Sequence, residues 1–203
     1  MFSGIIQEIG IVDKIESRSG ISEITVTCKQ ILNGLELGDS VAIDGCCQTV
    51  VQKNNNSFLV QATQETLEKT NFQKLQNRSK INLETSLKLG DKICGHLVSG
   101  HIDTTGEVSD ILSFGENRII KIKFPKELQD YIAPKGSISV NGVSLTIIDS
   151  KDYEFSFTLI PFTRDNTNLG SLRIGDHVNL EADILSRYVV NYFNNNLSLV
   201  GKV

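Results

Sequence analysis

Apolar residues along this chain recur mostly at every second position. Ile24-Thr25-Val26-Thr27 and Val41-Ala42-Ile43 alternate, and Ile120-Lys121-Ile122-Lys123-Phe124, Ser137-Ile138-Ser139-Val140 and Phe155-Ser156-Phe157-Thr158-Leu159 do so more plainly. A period of two marks strands with one buried face. The runs are short and parted by Gly, Asn and Asp clusters such as Asn54-Asn55-Asn56, which predicts an antiparallel barrel or sandwich. Helical spacing is rare. Pro125-Lys126-Glu127-Leu128 predicts a short helix opened by proline. Ile184, Leu185, Tyr188, Val189, Tyr192 and Phe193 predict a longer C-terminal one, capped by Asp183 or Ser186. Its apolar stripe either packs on its own barrel or meets another subunit.

The pattern also occurs twice. Ser3-Gly4-Ile5-Ile6 returns as Ser99-Gly100-His101-Ile102, and Gly10, Val12 and Ile15 return as Gly106, Val108 and Ile111, all at an offset of 96. From Asp39 to Glu84 the offset is 97 without a gap, with 11 identities in 46 positions. That is far above chance and indicates duplication. A period near 97 suits two tandem domains of one fold rather than a solenoid. The expected division is residues 1–96, residues 97–185, and a C-terminal oligomerisation helix and tail over residues 186–203.

Two repeated stretches carry candidate chemistry. One is Asp44-Gly45-Cys46-Cys47-Gln48-Thr49 beside Asn141-Gly142-Val143-Ser144-Leu145-Thr146; the other is Gln64-Glu65-Thr66 to Asn71 beside Pro161-Phe162-Thr163 to Asn168. In the first, a glycine permits close backbone approach, and hydroxyl or thiol groups follow it. Such strands suit a flat polar heterocycle held in its plane. Thr66 and Thr163 are candidate caps of short helical turns. Twin pockets bind twin ligands, so a reaction between two copies of one substrate would gain from proximity. The halves differ in that Ile5 aligns with His101 and Cys47 with Ser144.

Composition narrows the field. The 203 residues are 39% hydrophobic and 22% charged, ordinary for a globular protein, and the formal net charge is −4. Without a basic cluster, nucleic acid is not an expected partner, and no run of 18 apolar residues suggests a membrane span. No signal peptide is read at the N-terminus. Cys28, Cys46, Cys47 and Cys94 form no Cys-x-x-Cys pair, so a reducing, cytoplasmic setting is expected, with three or four largely buried free thiols. His96 and His101, five apart, lack the spacing and third ligand of a zinc site. Dinucleotide, nucleotide-phosphate and serine-hydrolase motifs are missing.

Met1-Phe2-Ser3-Gly4-Ile5-Ile6, Gly95-His96-Leu97-Val98-Ser99-Gly100-His101, Lys135-Gly136-Ser137, Asn141 to Thr146 and Leu159-Ile160-Pro161 together resemble riboflavin synthase of the alpha-chain type over nearly the whole chain. The resemblance implies an all-β protein of two tandem six-stranded Greek-key barrels plus a C-terminal helix. It implies a homotrimer, with lumazine synthase as a further partner, and no metal or redox cofactor. The implied reaction is dismutation of two 6,7-dimethyl-8-ribityllumazine molecules by four-carbon transfer, at a site between barrels of different subunits. The implied catalytic set is Cys47, His101, Ser144, Phe2, Thr146 and Asn141. His101 assists proton removal from the ring methyl, Cys47 and Ser144 act at ring carbon 7, and Phe2 stacks on or encloses the rings. The implied binding set is Gly4, Ile5, Ile6, Gln48, Thr49, Gln61, Ala62, Thr63, Gln64, Glu65, Thr66, Gly100, Ile102, Lys135, Leu145, Thr158, Leu159, Ile160, Pro161, Phe162 and Thr163.

Some positions depart from the family pattern. Asn141 stands where Asp is usual and Asp44 where Asn is common. Phe162 replaces a polar residue, and Gln73 and Arg78 replace glycines. The rival reading is a non-catalytic lumazine- or flavin-binding antenna protein; Phe2, Cys47, His101, Ser144 and Lys135 favour the enzyme.

Overall fold

A computed structural model describes residues 1–18 and 20–200; the last three residues of the expected tail, 201–203, lie outside the described residues. The alternating runs form twelve strands. The first six are β1 (Glu8–Arg18), β2 (Ile21–Thr27), β3 (Ser40–Ile43), β4 (Cys46–Lys53), β5 (Ser57–Thr63) and β6 (Lys80–Thr85). They close into a barrel in the order β1-β2-β5-β4-β3-β6. The next six are β7 (Thr104–Phe114), β8 (Asn117–Lys123), β9 (Ser137–Val140), β10 (Val143–Lys151), β11 (Glu154–Leu159) and β12 (His177–Ala182). They close in the equivalent order, and every pairing is antiparallel. Closure leaves no unpaired edge. Each barrel has its own apolar core, centred on Phe58 and Leu83 in the first and on Phe155, Phe157 and Leu180 in the second. The two-barrel expectation holds.

Short helices join the strands. The proline-led segment is a 3-10 helix at Lys126–Tyr131. Helices α1 (Gln64–Lys69) and α2 (Pro161–Asn166) follow β5 and β11. The expected caps are corrected here: Thr63 caps α1, while Thr70 and Thr167 cap the 3-10 turns that follow. Thr66 and Thr163 lie inside the helices, and their carbonyls accept from the Thr70 and Thr167 hydroxyls at 2.7 Å. The last helix, α3 (Ile184–Val200), is capped by Asp183, which accepts from Leu185 N–H at 2.9 Å. Beyond half-buried Ile184 its stripe does not pack on its own barrel: Leu185, Tyr188, Val189, Tyr192 and Phe193 are exposed, Tyr188 at 71%. No described helix is long and apolar enough to cross a membrane.

The barrels meet tip to tip. Asp44-Gly45 and Asn141-Gly142 are two-residue turns with all four φ angles positive, between +44° and +80°, as a type I′ hairpin requires. The tips abut so closely that a Cβ on Gly45 would lie 2.6 Å from Gly142 N, and one on Gly142 2.7 Å from Gly45 N. Around them a buried amide network crosses the interface. Asn82 Nδ2 donates to Asn141 O and Asn168 Oδ1, both at 2.9 Å, and Asn179 Nδ2 donates to Asp44 O at 2.9 Å. Asp44 is the network's one carboxylate, accepting from Asn82 N–H, Asn71 Nδ2 and Asn168 Nδ2. Burial outweighs these bonds and raises its pKa to about 6. A carboxyl with a raised folded pKa binds its proton more readily folded than unfolded, so the stability it contributes grows as pH falls from about 6 toward the unfolded value near 4. Asp44→Asn is expected to flatten this slope; thermal unfolding of both proteins between about pH 4 and 7 checks it. An unchanged slope would remove Asp44 as its source.

Candidate active site: two equivalent strand grooves

Strands β3–β4 and β9–β10 share one register. Ala42 pairs with Cys47 and Ser40 with Thr49, as Ser139 pairs with Ser144 and Ser137 with Thr146. The period of two turns Cys46, Gln48 and Val50 into the barrel and leaves Cys47 and Thr49 on its outer face. Ser144 and Thr146 take the matching face of β10.

Each face is covered by the lead-in segment of the other repeat. Ser144 N–H donates to Gly4 O, and Cys47 N–H to Gly100 O, both at 2.8 Å. Ile6 packs against the second core and Ile102 within the first. Phe2 and Val98 bridge the two lead-ins. Both crossings need glycine, since a Cβ on Gly4 would lie 2.6 Å from Ser144 Cβ, and one on Gly100 2.6 Å from Cys47 Cβ. Their φ angles are +75° and +85°. Each lead-in is clamped by a buried carboxylate. Glu84 accepts from Ser3 N–H and Oγ and from Gly4 N–H at 2.8–3.1 Å. Glu181 accepts from Ser99 N–H and Oγ and from Gly100 N–H at 2.6–2.9 Å. Burial moves both acids above the usual carboxylate range, against the pull of these bonds. Their recurrence at offset 97 was the sequence signal, but it gave no hint that they hold lead-ins.

The first groove is a pocket of about 240 Å3 lined by Cys46, Cys47, Glu65, Thr66, Lys69, Thr70, Gly100, His101 and Ile102. Cys47, Glu65, Thr66, Gly100, His101 and Ile102 thus lie together on one pocket. His101 is exposed on this wall, and its ring makes no hydrogen bond to a described residue. The aligned positions on the second strand face are Val143, Ser144, Phe162, Thr163, Asn166, Thr167, Gly4, Ile5 and Ile6. Its rim is apolar, with Ile5, Ile160 and Phe162 exposed, whereas the first groove carries a Glu65–Lys69 ion pair of 3.3 Å.

Other expected residues fall elsewhere. Phe2, expected against the ligand rings, is fully buried with Ala42 and Val98 and partly buried Cys47, and supports the strand from below. Asn141 sits in the interface network, accepting from Asn179 N–H at 2.7 Å. Ala62 and Leu159 face their barrel cores, and Leu145 packs against the second core. Gln48 turns inward and donates to Cys47 O at 2.8 Å. Gln61 donates to Glu23 and Gln64 to Glu68, both at 2.9 Å. Thr63 is the α1 cap. Thr49 and Thr146 are exposed beside Cys47 and Ser144, and Thr158 is half-buried. Pro161 opens α2, and Lys135 is exposed in the turn before β9. The thiol expectation is corrected: all four are free, but only Cys28 and Cys46 are buried, and Cys94 is exposed. Burial pushes the Cys28 and Cys46 thiols up to about 12, keeping them protonated and inert.

Sequence reasoning gave His96 no role. The structure places its Nδ1 2.7 Å from Ser144 Oγ, and its Nε2 is buried without a partner among the described residues. Burial lowers its pKa below 6.5, which favours the neutral imidazole at physiological pH. A neutral ring at this distance can accept the Ser144 proton.

Two closed barrels with exchanged lead-ins and matching outer strand faces define a duplicated double-barrel protein. The lumazine binding domain family matches residues 3–86 and again residues 99–183. The riboflavin synthase of Actinobacillus pleuropneumoniae is 38% identical over 192 residues, covering 95% of this chain and 89% of that one. That of Bacillus subtilis is 34% identical over 194 residues, covering 96% and 90%. The chain belongs to the riboflavin synthase family. Among solved structures, LumP complexed with 6,7-dimethyl-8-(1′-D-ribityl) lumazine superposes with a TM-score of 0.82 at 29% identity, covering 90% of this chain and 99% of that one. LumP complexed with riboflavin gives 0.84 at the same identity and coverage.

Proposed function

We propose that the chain catalyses the dismutation of two 6,7-dimethyl-8-ribityllumazine molecules into riboflavin and 5-amino-6-ribitylaminouracil, one molecule giving a four-carbon unit to the other. The observation that carries this is the 2.7 Å Ser144–His96 contact on the second of the two matching strand faces. A binder needs no half-buried base beside a hydroxyl. The ring methyl of the lumazine is acidic because its anion delocalises into the ring, and in this reading Ser144 with neutral His96 takes that proton. Cys47 and Ser144 are the candidate nucleophiles at ring carbon 7, and His101 orients ligand at the first groove. Orientation of two ring systems supplies much of the rate. Incubating purified protein with the lumazine should give growing riboflavin fluorescence. Stable bound lumazine without turnover would instead identify an antenna-type binder.

The grooves lie on outer faces, which suits a reaction completed between subunits of a homotrimer. The exposed stripe of α3 supports such assembly. Tyr188→Glu combined with Tyr192→Glu should convert a trimer to monomer by light scattering; an unchanged mass would remove α3 from the interface. Association with lumazine synthase and a cytoplasmic location remain part of this reading.

A further inference from the structure

Gln7 and Asp103 end the two lead-ins in the same way. Gln7 N–H donates to Leu83 O at 3.0 Å and Asp103 N–H to Leu180 O at 2.9 Å. Their side chains then accept from matching amides, Gln7 Oε1 from Thr85 N–H at 3.0 Å and Asp103 Oδ2 from Ala182 N–H at 2.9 Å. A neutral side-chain amide is therefore enough to tie a lead-in to its barrel. The second repeat uses a carboxylate instead, and its other oxygen is free to make a further bond.

That bond goes to α3. Asp103 Oδ1 lies 2.6 Å from Arg187 Nη2, and the same nitrogen reaches His101 O at 3.5 Å. The Asp103 side chain is only 19% exposed, so water and salt screen this pair less than a pair on the open surface. Arg187 stands in the first turn of α3. The residues that follow β6 in the first repeat, 86–97, form neither helix nor strand, so that repeat has no counterpart of α3. The lead-ins also differ in what they carry. His101 stands on the wall of the first groove, and its counterpart is Ile5. The added brace thus falls on the lead-in that presents an imidazole.

We propose that Arg187 is a positioning residue for the reaction: through Asp103 and the His101 carbonyl it ties the root of α3 to the second lead-in and fixes where His101 stands in the first groove. The inference rests on the reading of that groove as a lumazine site. An imidazole that wanders still meets the ligand but orients it poorly, so the loss falls on turnover rather than on binding.

The test joins kinetics to amide hydrogen exchange. Arg187→Gln should lower kcat about tenfold and leave the lumazine Kd within about threefold. Asp103→Gln installs the residue of the first repeat, which keeps the bond to Ala182 N–H and removes the ion pair, and it should lower kcat equally. The double variant should lose no more than either alone, and Arg187→Gln should add nothing in His101→Gln protein, because residues acting through one another are not additive. Arg187→Lys keeps the charge and should recover most of the turnover. By NMR, the Gly100 and Asp103 amides of Arg187→Gln should exchange about tenfold faster, while Gly4 and Gln7 of the other lead-in keep their native rates. Native kcat in either single variant, losses that multiply in the double variant, or equal acceleration in both lead-ins would overturn the brace. A lower mass of Arg187→Gln by light scattering would overturn it too, by placing Arg187 in assembly. If the native protein does not turn lumazine over, the proposed function fails, and the exchange comparison alone decides whether Arg187 holds the lead-in.

Discussion

Gly100→Ala should lose about 2–5 kcal/mol of stability and disable the first groove, the sum of left-handed strain and overpacking. The added methyl would lie 2.6 Å from Cys47 Cβ and 2.9 Å from Phe2 Cε2, and the backbone φ is +85°. Phe2 is fully buried and Cys47 N–H is bonded to Gly100 O, so neither neighbour has room to retreat. The lead-in must shift instead, which pulls on the Glu181 clamp and displaces His101 and Ile102. Gly20→Ala is the control. Its φ is +82° but nothing lies within 4 Å of its added Cβ, so only the strain of about 1–2 kcal/mol applies. Urea unfolding and a lumazine titration on both variants decide the matter. Equal losses at positions 20 and 100 would mean that contact with Cys47 counts for nothing.

His96→Gln should lower turnover about 100-fold or more while leaving the lumazine Kd within a few-fold, the size expected when a general base is removed. Glutamine can still bond the Ser144 hydroxyl but cannot take its proton. The pH profile separates a chemical role from a packing one. In the native protein turnover should fall on acidification with a midpoint below 6.5, because burial lowers the His96 pKa, and only the neutral ring accepts a proton. That acid limb should vanish in His96→Gln. His101→Gln should lower turnover more than binding, but by less than His96→Gln, and should retain the limb. If His101→Gln alone abolishes it, the base is His101.

The fold was largely legible in the chain because a period of two and a period of 97 both act at the level of residue type. Ile120 to Phe124 and Phe155 to Leu159 can bury one face only as strands, and the duplication fixed the number of barrels. Cys47 and Thr66 stand in the repeated stretches and His101 in a stretch that resembles the family, and the fold brings all three to one pocket. What sequence could not carry was side-chain direction and long-range pairing. Phe2 stands in a motif that resembles the family, and only the structure shows that its ring fills a small core with Ala42 and Val98. His96 has no counterpart in the first repeat, so the comparison of halves passed over it, and only the fold brings it to Ser144, 48 residues away. The caps went to Thr63, Thr70 and Thr167 because Thr66 and Thr163 fall inside α1 and α2, about one turn from the residues that open the helical turns. Periodicity found the stripe of α3, but only the structure shows that its own barrel leaves it bare.

The crossed lead-ins also bear on how such a chain could have arisen. A lone barrel of this type would present a groove with nothing to cover it, and a free arm that fits the groove of a twin. Two separate copies embracing in this way would already enclose both cavities before any gene fusion. Joining them end to end would then have freed one half to drift, as the isoleucine at position 5 and the histidine at position 101 now illustrate.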